Sequence, residues 1–256
     1  MTDFEQAVRR ARAALSSADD VVAFTGAGVS TESGIPDFRS PGGIWDRFDP
    51  RDFTIQRLRN DPVGYWETRL EAREAMDFDW ETVEPNPAHE ALVDLERAGV
   101  LSAIITQNVD GLHQKAGTDP DRVFELHGTR TQAKCLDCEE QFPLSTLEHK
   151  LADQLPPRCD DCGGLMKRAT VSFGERLPSS VLSAARAAAT DCDCLLVVGS
   201  SLTVEPAASL PRLAVRNGGD LVICNLEPTG LEHQATAFLQ GKAGEVLPRL
   251  VDGVTG

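Results

Sequence analysis

Residues 21–28, VVAFTGAG, decide the fold that the sequence predicts. The run Val21–Thr25 is short, apolar and rich in β-branched residues, which is typical of a strand buried in a parallel sheet. Gly26 and Gly28 then end the strand and let the backbone approach the phosphates of a nucleotide, which the free N–H groups of a following helix would bind. A tight turn without a ligand is the alternative, because two glycines this close are a weak signal.

Three further apolar runs predict buried strands, at residues 102–106, 194–198 and 220–224. A shorter run at residues 123–126 is also strand-like. Helix-forming stretches precede or separate these runs, at residues 4–18, 87–98, 179–190 and 205–217. Buried strands that alternate with helices indicate an α/β fold, with a parallel sheet covered by helices on both faces.

Two stretches interrupt this alternation. Residues 39–83 contain all three Trp and the only Tyr, with helical segments but no buried strand. Residues 133–168 contain prolines and two Cys-x-x-Cys pairs. We interpret both stretches as insertions that return the chain to the same sheet.

The two Cys-x-x-Cys pairs predict a metal site made by Cys135, Cys138, Cys159 and Cys162. Two such pairs can surround one zinc ion with a tetrahedron of thiolates. Because all four ligands are sulfur, no position stays open for water, and the zinc is predicted to be structural. Four unrelated buried thiols are the alternative. The other three cysteines lie in or beside strand runs and are interpreted as core residues: Cys192, Cys194 and Cys224.

Polar residues follow several predicted strands at their carboxyl ends. They are Asn108, Asp110, His127, the Gly199–Ser201 loop, Asn225 and Glu227. Since open α/β sheets bind ligands at this edge, we expect these groups to share one site. A histidine there can act as a general base near neutral pH. Each residue alone has an ordinary alternative, as a turn residue or a structural hydrogen-bonding group.

The chain is acidic, with 25 Lys and Arg against 40 Asp and Glu, a net charge of −15 and a pI near 4.7. This charge argues against direct contacts with nucleic acid or anionic lipid. It fits either adaptation to high salt or an ordinary acidic cytosolic protein. The sequence opens without a secretory signal and no apolar run approaches the ~20 residues that span a bilayer, so we expect a cytoplasmic protein.

Taken together, the motifs resemble the sirtuin family of NAD-dependent protein-lysine deacylases. Besides the cysteine pairs, the matching segments are residues 26–40 (GAGVSTESGIPDFRS), 106–113 (TQNVDGLH), 126–128 (LHG), 173–175 (FGE), 199–207 (GSSLTVEPA) and 225–228 (NLEP). The resemblance implies that the chain removes acetyl or other short acyl groups from lysines of acetylated proteins or peptides. NAD would be the co-substrate, nicotinamide and O-acetyl-ADP-ribose the products, and one Zn²⁺ per chain the structural metal.

The resemblance also implies two domains. Residues 1–38, 84–132 and 169–256 would form a Rossmann-like NAD-binding domain. A smaller domain would combine the helical insertion, residues 39–83, with the zinc-binding module, residues 133–168.

The resemblance further assigns roles to individual residues. His127 would be the general base, with Asn108 and Asp110 as further catalytic residues. NAD would contact Gly26, Ala27, Gly28, Ser30, Phe38, Arg39, Gln107, Asn108, Val109, Asp110, Gly199, Ser200, Ser201, Asn225, Leu226, Glu227 and Ala243. The acyl-lysine peptide would add as a strand between two segments of the chain. Its contacts would be Val171, Phe173, Gly174, Glu175, Leu202 and Val204.

The sequence also bears on acyl preference. Family members that favour succinyl or malonyl groups carry a Tyr and an Arg three residues apart on the helical insertion. Here the residue three positions after Tyr65 is Thr68, not Arg. If the sequence is aligned in the other possible register, the two positions hold Arg69 and Ala72. Neither register gives the pair, so an uncharged short acyl group is favoured.

Two other functions stay open: mono-ADP-ribosyl transfer from the same NAD site, and a non-catalytic zinc-ribbon interaction module.

Overall fold

The structure is a computed structural model that describes residues 2–36, 48–75, 80 and 82–254. Its strands are, in chain order, β1 (Val21–Thr25), β2 (Leu101–Thr106), β3 (Val123–Glu125), β4 (Gly128–Cys135), β5 (Gln141–Pro143), β6 (Met166–Thr170), β7 (Cys194–Val198), β8 (Asp220–Asn225) and β9 (Ala237–Gln240). Six of them form a sheet in the order β3-β2-β1-β7-β8-β9. All neighbours in this sheet run parallel, which confirms the predicted α/β class and its buried strands.

Helices cover both faces of the parallel sheet. The described α-helices are α1 (Asp3–Ser17), α2 (Ile55–Asn60), α3 (Pro62–Ala75), α4 (Pro87–Arg97), α5 (Leu112–Ala116), α6 (Leu144–Asp153), α7 (Ser179–Asp191), α8 (Leu210–Arg216) and α9 (Ala243–Val251). Alternate residues of β1 point to opposite faces, so Val21 packs with α1, α4 and α9, whereas Phe24 packs with α7 and α8. None of the described helices is long and apolar enough to cross a membrane.

A second sheet lies in the cysteine-containing insertion. It has three antiparallel strands in the order β5-β4-β6. Tyr65 and Trp66 of α3 are 1% and 2% exposed, and they belong to the same hydrophobic cluster as Cys135 and Met166. The helices of the first insertion and the sheet of the second therefore share one core.

The structure differs from the prediction at two helical segments. After Gly26 the chain forms two short 3-10 turns, Ala27–Val29 and Thr31–Ser33, where a regular helix was expected. The predicted helix at residues 205–217 is shorter, with a 3-10 turn at Ala207–Ser209 followed by α8. Pro206 and Pro211 explain this second difference, because neither has a backbone N–H to donate to a helix.

Candidate functional site

The carboxyl ends of the four central strands meet at one edge of the parallel sheet. Thr25, the last residue of β1, is the register partner of both Thr106 and Val198. Val198 in turn pairs with Cys224 of β8. The polar loops that follow these strands therefore start side by side, as the sequence predicted.

The two glycine-containing loops at this edge pack backbone against backbone. Gly26 N donates to Val198 O at 3.1 Å, and Gly28 N donates to Gly199 O at 2.8 Å. A Cβ atom on Gly26 or Gly28 would lie 2.9 or 2.8 Å from Gly199 O, which is closer than any side chain tolerates. These glycines are thus required for contact between two loops of the chain, a reason that the local sequence does not reveal.

Asn108, Ser30 and Asp110 form a connected polar group above these loops. Asn108 Nδ2 donates to Gly26 O at 3.2 Å and to Ser30 Oγ at 3.1 Å. Ser30 Oγ donates to Asp110 Oδ2 at 2.8 Å. Asn108 is 9% exposed, and its Oδ1 accepts no hydrogen bond within the described part of the chain. An amide oxygen held in this way can accept a hydrogen bond from the carboxamide N–H of a nicotinamide ring, so this group fits NAD.

His127 lies next to this group and has a defined hydrogen-bonding state. Its Nδ1 lies 2.8 Å from Gln107 O. Because a carbonyl oxygen only accepts, Nδ1 carries the proton and Nε2 keeps a lone pair. Burial lowers the pKa of His127 below its ordinary value, so the ring is neutral at pH 7. The arrangement provides a neutral base at the edge of the polar group.

The predicted peptide-binding segments lie outside both sheets. Residues 171–175 follow β6, and Phe173 O accepts a hydrogen bond from Ile55 N at 3.0 Å. The Phe173 side chain is 46% exposed, whereas Leu202 is 7% exposed and packs in the core under α7 and α8. Val204 is half-buried. The Glu175 carboxylate is bound by Lys134 and Lys167 of the small sheet, and Leu202 N donates to Ser200 Oγ at 3.3 Å.

The four cysteines of the second insertion come together as the sequence predicted. Their sulfur atoms all lie within 4.8 Å of one another. The Sγ atoms of Cys135 and Cys162 are 3.4 Å apart, and those of Cys138 and Cys159 are 3.9 Å apart. Zinc–sulfur bonds of about 2.3 Å in a tetrahedron place neighbouring sulfurs roughly 3.8 Å apart. The cluster therefore fits Zn²⁺ with four thiolates.

The other predicted NAD contacts that the structure describes lie in the loop after β7, at the end of β8 and at the start of α9. Asn225 Nδ2 donates to Glu227 O at 2.7 Å, which shapes the loop after β8, and Leu226 is 60% exposed. Ala243 is the first residue of α9, and the next N–H, on Gly244, donates to a Glu32 oxygen at 2.7 Å. Ser201 is exposed, and Ser200 Oγ accepts a hydrogen bond from Gln107 Nε2 at 2.8 Å. Phe38 and Arg39 lie outside the described residues.

Comparison with known families identifies the chain. The Sir2 family is matched over residues 26–206. The chain belongs to the Sir2 family. Among its Sir2 relatives, an NAD-dependent protein deacetylase of Haloarcula marismortui is 47% identical over 93% of this chain and 91% of its own length. NAD-dependent protein deacylase 2 of Archaeoglobus fulgidus is 42% identical over 98% of this chain and 97% of its own.

A solved Sir2 structure, described as holding a deacetylated p53 peptide and 3'-O-acetyl ADP ribose, shares the fold. It matches with a TM-score of 0.86 and 36% identity, over 98% of each chain. Another, described as a complex of Sir2 with a p53 peptide and NAD⁺, matches with a TM-score of 0.83 and 35% identity, over 98% of this chain and 97% of its own.

Sequence reasoning missed a buried layer below the site of this Sir2 chain. Asn86 Nδ2 donates to Val29 O at 2.8 Å and to Ser33 Oγ at 2.9 Å, while its Oδ1 caps α4. Asn86 thus holds in place the loop that follows β1, which we call the cofactor loop (residues 26–34). The Asn-Pro pair at residues 86–87 is a helix-start signal that identifies the cap, but not the contact with a loop 57 residues away.

Two histidines complete this layer. His113 Nε2 lies 2.9 Å from Thr25 Oγ1, and the His113 and His89 rings are 5.0 Å apart between centroids. Burial lowers the pKa of His89 to about 4 and that of His113 to about 3. Both rings are therefore neutral at pH 7 and support the site without adding charge to it.

Proposed function

We propose a specific reaction for this NAD-dependent deacylase of the Sir2 family: the removal of acetyl and other short uncharged acyl groups from protein lysines. The products are nicotinamide, the free lysine and O-acetyl-ADP-ribose. The observation that carries the proposal is the state of His127, whose Nδ1–H donates to Gln107 O, the residue before Asn108, and whose Nε2 is left as a base.

Asn108, Asp110 and His127 each have a separate role in this reaction. When bound, NAD would supply an anomeric carbon that the acyl oxygen of the substrate attacks while the bond to nicotinamide breaks and nicotinamide leaves. Asn108 Oδ1 orients the nicotinamide carboxamide, and Asn108 Nδ2 is held in place by Gly26 O and Ser30 Oγ. Asp110, bonded to Ser30 Oγ and Leu112 N, stays fixed on the ribose side. His127 Nε2 would take a proton from a ribose hydroxyl, which then attacks the acyl carbon. The bond from that carbon to the lysine nitrogen breaks, the lysine leaves as the amine, and one water molecule completes O-acetyl-ADP-ribose.

The peptide adds as a strand between residues 171–175 and 202–205. Both segments lie outside the two sheets, and the peptide would pair with the backbone groups that are left after Val171 N, Ser172 N, Phe173 O and Leu202 N have bonded within the chain. The uncharged acyl preference is supported by α3, where Arg69 Nη1 donates to Tyr65 OH at 3.1 Å. Because Tyr65 is 1% exposed, its hydroxyl and the Arg69 group bonded to it lie in the core shared by the insertions and would not bind an acidic acyl group.

We expect the chain to act in the cytoplasm on acylated proteins, without direct contact to nucleic acid. The net charge of −15 opposes binding to a phosphate backbone. Four thiolates around a zinc ion suit a reducing compartment.

Incubation with NAD and an acetyl-lysine peptide tests the proposal, with nicotinamide, free peptide and O-acetyl-ADP-ribose followed by mass spectrometry. Deacylation predicts all three products in equal amounts. A mono-ADP-ribosyltransferase labels protein and needs no acyl group, and a non-catalytic zinc-ribbon module releases no nicotinamide. Either of these results refutes the proposal. A panel with acetyl, butyryl and succinyl peptides tests the acyl preference, which predicts slow turnover of the succinyl peptide.

A further inference from the structure

Lys167 of β6 has an environment that the proposed reaction does not use. It is 1% exposed, and no other Lys, Arg, Asp or Glu among the described residues is buried as deeply. Lysines are almost never buried to this extent without a partner of opposite charge. The structure contains that partner at the end of the predicted peptide-binding segment.

Glu175 accepts hydrogen bonds from two lysines. Lys167 Nζ lies 2.8 Å from Oε2, and Lys134 Nζ lies 2.5 Å from Oε1. Lys134 of β4 and Lys167 of β6 are register partners, so their positive side chains are neighbours and repel each other without a carboxylate between them. We call Lys134, Lys167 and Glu175 the lysine clamp.

The lysine clamp fixes the shape of residues 171–175. Ser172 N donates to Glu175 Oε2 at 2.9 Å, and Lys167 Nζ also donates to Thr170 O. Burial would raise the pKa of Glu175, but the hydrogen bonds from both lysines bring it below its ordinary value, so the carboxylate stays charged.

The clamped segment touches two other parts of the site. Ile55 N donates to Phe173 O at 3.0 Å, which ties the segment to the helical insertion. Val171 N donates to His127 O at 2.8 Å, which ties it to the residue that carries the base. A loss of the clamp would therefore shift the surface on which the peptide adds. Among the described residues, Asn108, Ser30 and Asp110 make no hydrogen bond to the clamped segment.

We propose that Lys134 and Lys167 are positioning residues for the peptide substrate and act on it through Glu175. The inference rests on the proposed deacylation, and it changes Glu175 from a predicted substrate contact to the anchor of the peptide-binding segment. Peptide affinity then depends on the clamp, whereas NAD affinity does not.

Three variants test this proposal: Lys134→Met, Lys167→Met and Glu175→Gln. The matched control is Lys150→Met, because Lys150 lies in the same insertion and pairs at 2.6 Å with Asp160, whose side chain is 83% exposed. Steady-state KM is measured for acetyl-lysine peptide and for NAD. The Kd of a fluorescent acetyl-lysine peptide is measured by anisotropy without NAD.

We expect the peptide KM and Kd to rise about tenfold or more in all three variants, since a charged hydrogen bond is lost in each. The KM for NAD should stay within about twofold, and Lys150→Met should match the unmodified chain. If Lys167→Met does not fold, Lys134→Met gives the same test, because Lys134 is 26% exposed.

Two results would overturn the proposal. If the peptide Kd rises in Glu175→Gln but stays unchanged in both lysine variants, Glu175 contacts the peptide directly. An equal rise in the KM for peptide and the KM for NAD would mean that the substitutions destabilise the whole fold. The Kd measurement is independent of turnover, so an unmodified chain that binds peptide but releases no nicotinamide refutes the deacylation and not the clamp.

Discussion

Replacing His127 by Ala removes the proposed base and little else. The side chain is half-buried and makes one hydrogen bond to the described residues, from Nδ1 to Gln107 O at 2.8 Å. Loss of such a bond costs about 0.5–1.5 kcal/mol of stability, which a folded domain tolerates. A positioned base contributes about 10²–10⁴ in rate, so the barrier of its step should rise by about 3–5 kcal/mol.

The assay separates the two halves of the reaction. Deacetylation of a peptide requires the base, whereas exchange of labelled nicotinamide into NAD reports the earlier bond breaking, which needs no base. In His127→Ala the deacetylation rate should fall by the factor of about 10²–10⁴, whereas most of the nicotinamide exchange rate should remain. His149→Ala, which changes an exposed histidine of α6, is the matched control and should behave as the unmodified chain.

The pH dependence gives a second measure of the same residue. The base must be neutral to act, and burial lowers the pKa of His127. Activity should therefore persist to a pH below the ordinary histidine value of about 6.5 before it falls. Near-normal deacetylation by folded His127→Ala, or an acidic limb that is the same in both proteins, would refute the assigned role.

Three further predictions concern the support of the site. Cys135→Ser should lower both the melting temperature and the zinc content measured by atomic emission, because zinc binding is coupled to folding of the small sheet. Asn86→Ala removes a helix cap and two hydrogen bonds to the cofactor loop, so unfolding in urea should show a loss of about 2–4 kcal/mol, and the KM for NAD should rise more than that for peptide. Acid should destabilise the fold between pH 6.5 and 4, because unfolding frees His89 and His113 to take up protons that the native state excludes. The free energy of unfolding should fall by up to about 3 kcal/mol for each histidine over this window.

Each of these predictions has a result that contradicts it. Unchanged zinc content and melting temperature in Cys135→Ser would exclude the four-thiolate site. An equal loss in Asn217→Ala, which changes an exposed asparagine of another helix end, would show that the effect of Asn86→Ala is not specific. A stability that is flat from pH 6.5 to 4 would mean that the two histidines are protonated in the folded chain.

The local sequence determined the parts of this protein that depend on short-range chemistry. Runs such as Val21–Thr25 are apolar at every position because both faces of a parallel strand are covered, so the sheet could be predicted from single segments. The zinc cluster could be predicted because each Cys-x-x-Cys pair already holds two ligands at the required spacing. The boundaries between the two domains stay a prediction.

Only the tertiary structure decided how these segments act on one another. The contact of Gly28 with Gly199, the support of Val29 by Asn86 and the proton on His127 Nδ1 all join residues that are far apart in the chain. The bond from Lys134 to Glu175 spans 41 residues in the same way. No periodicity records such contacts, because they arise when separate strands and helices pack and bring particular donors and acceptors within hydrogen-bonding distance.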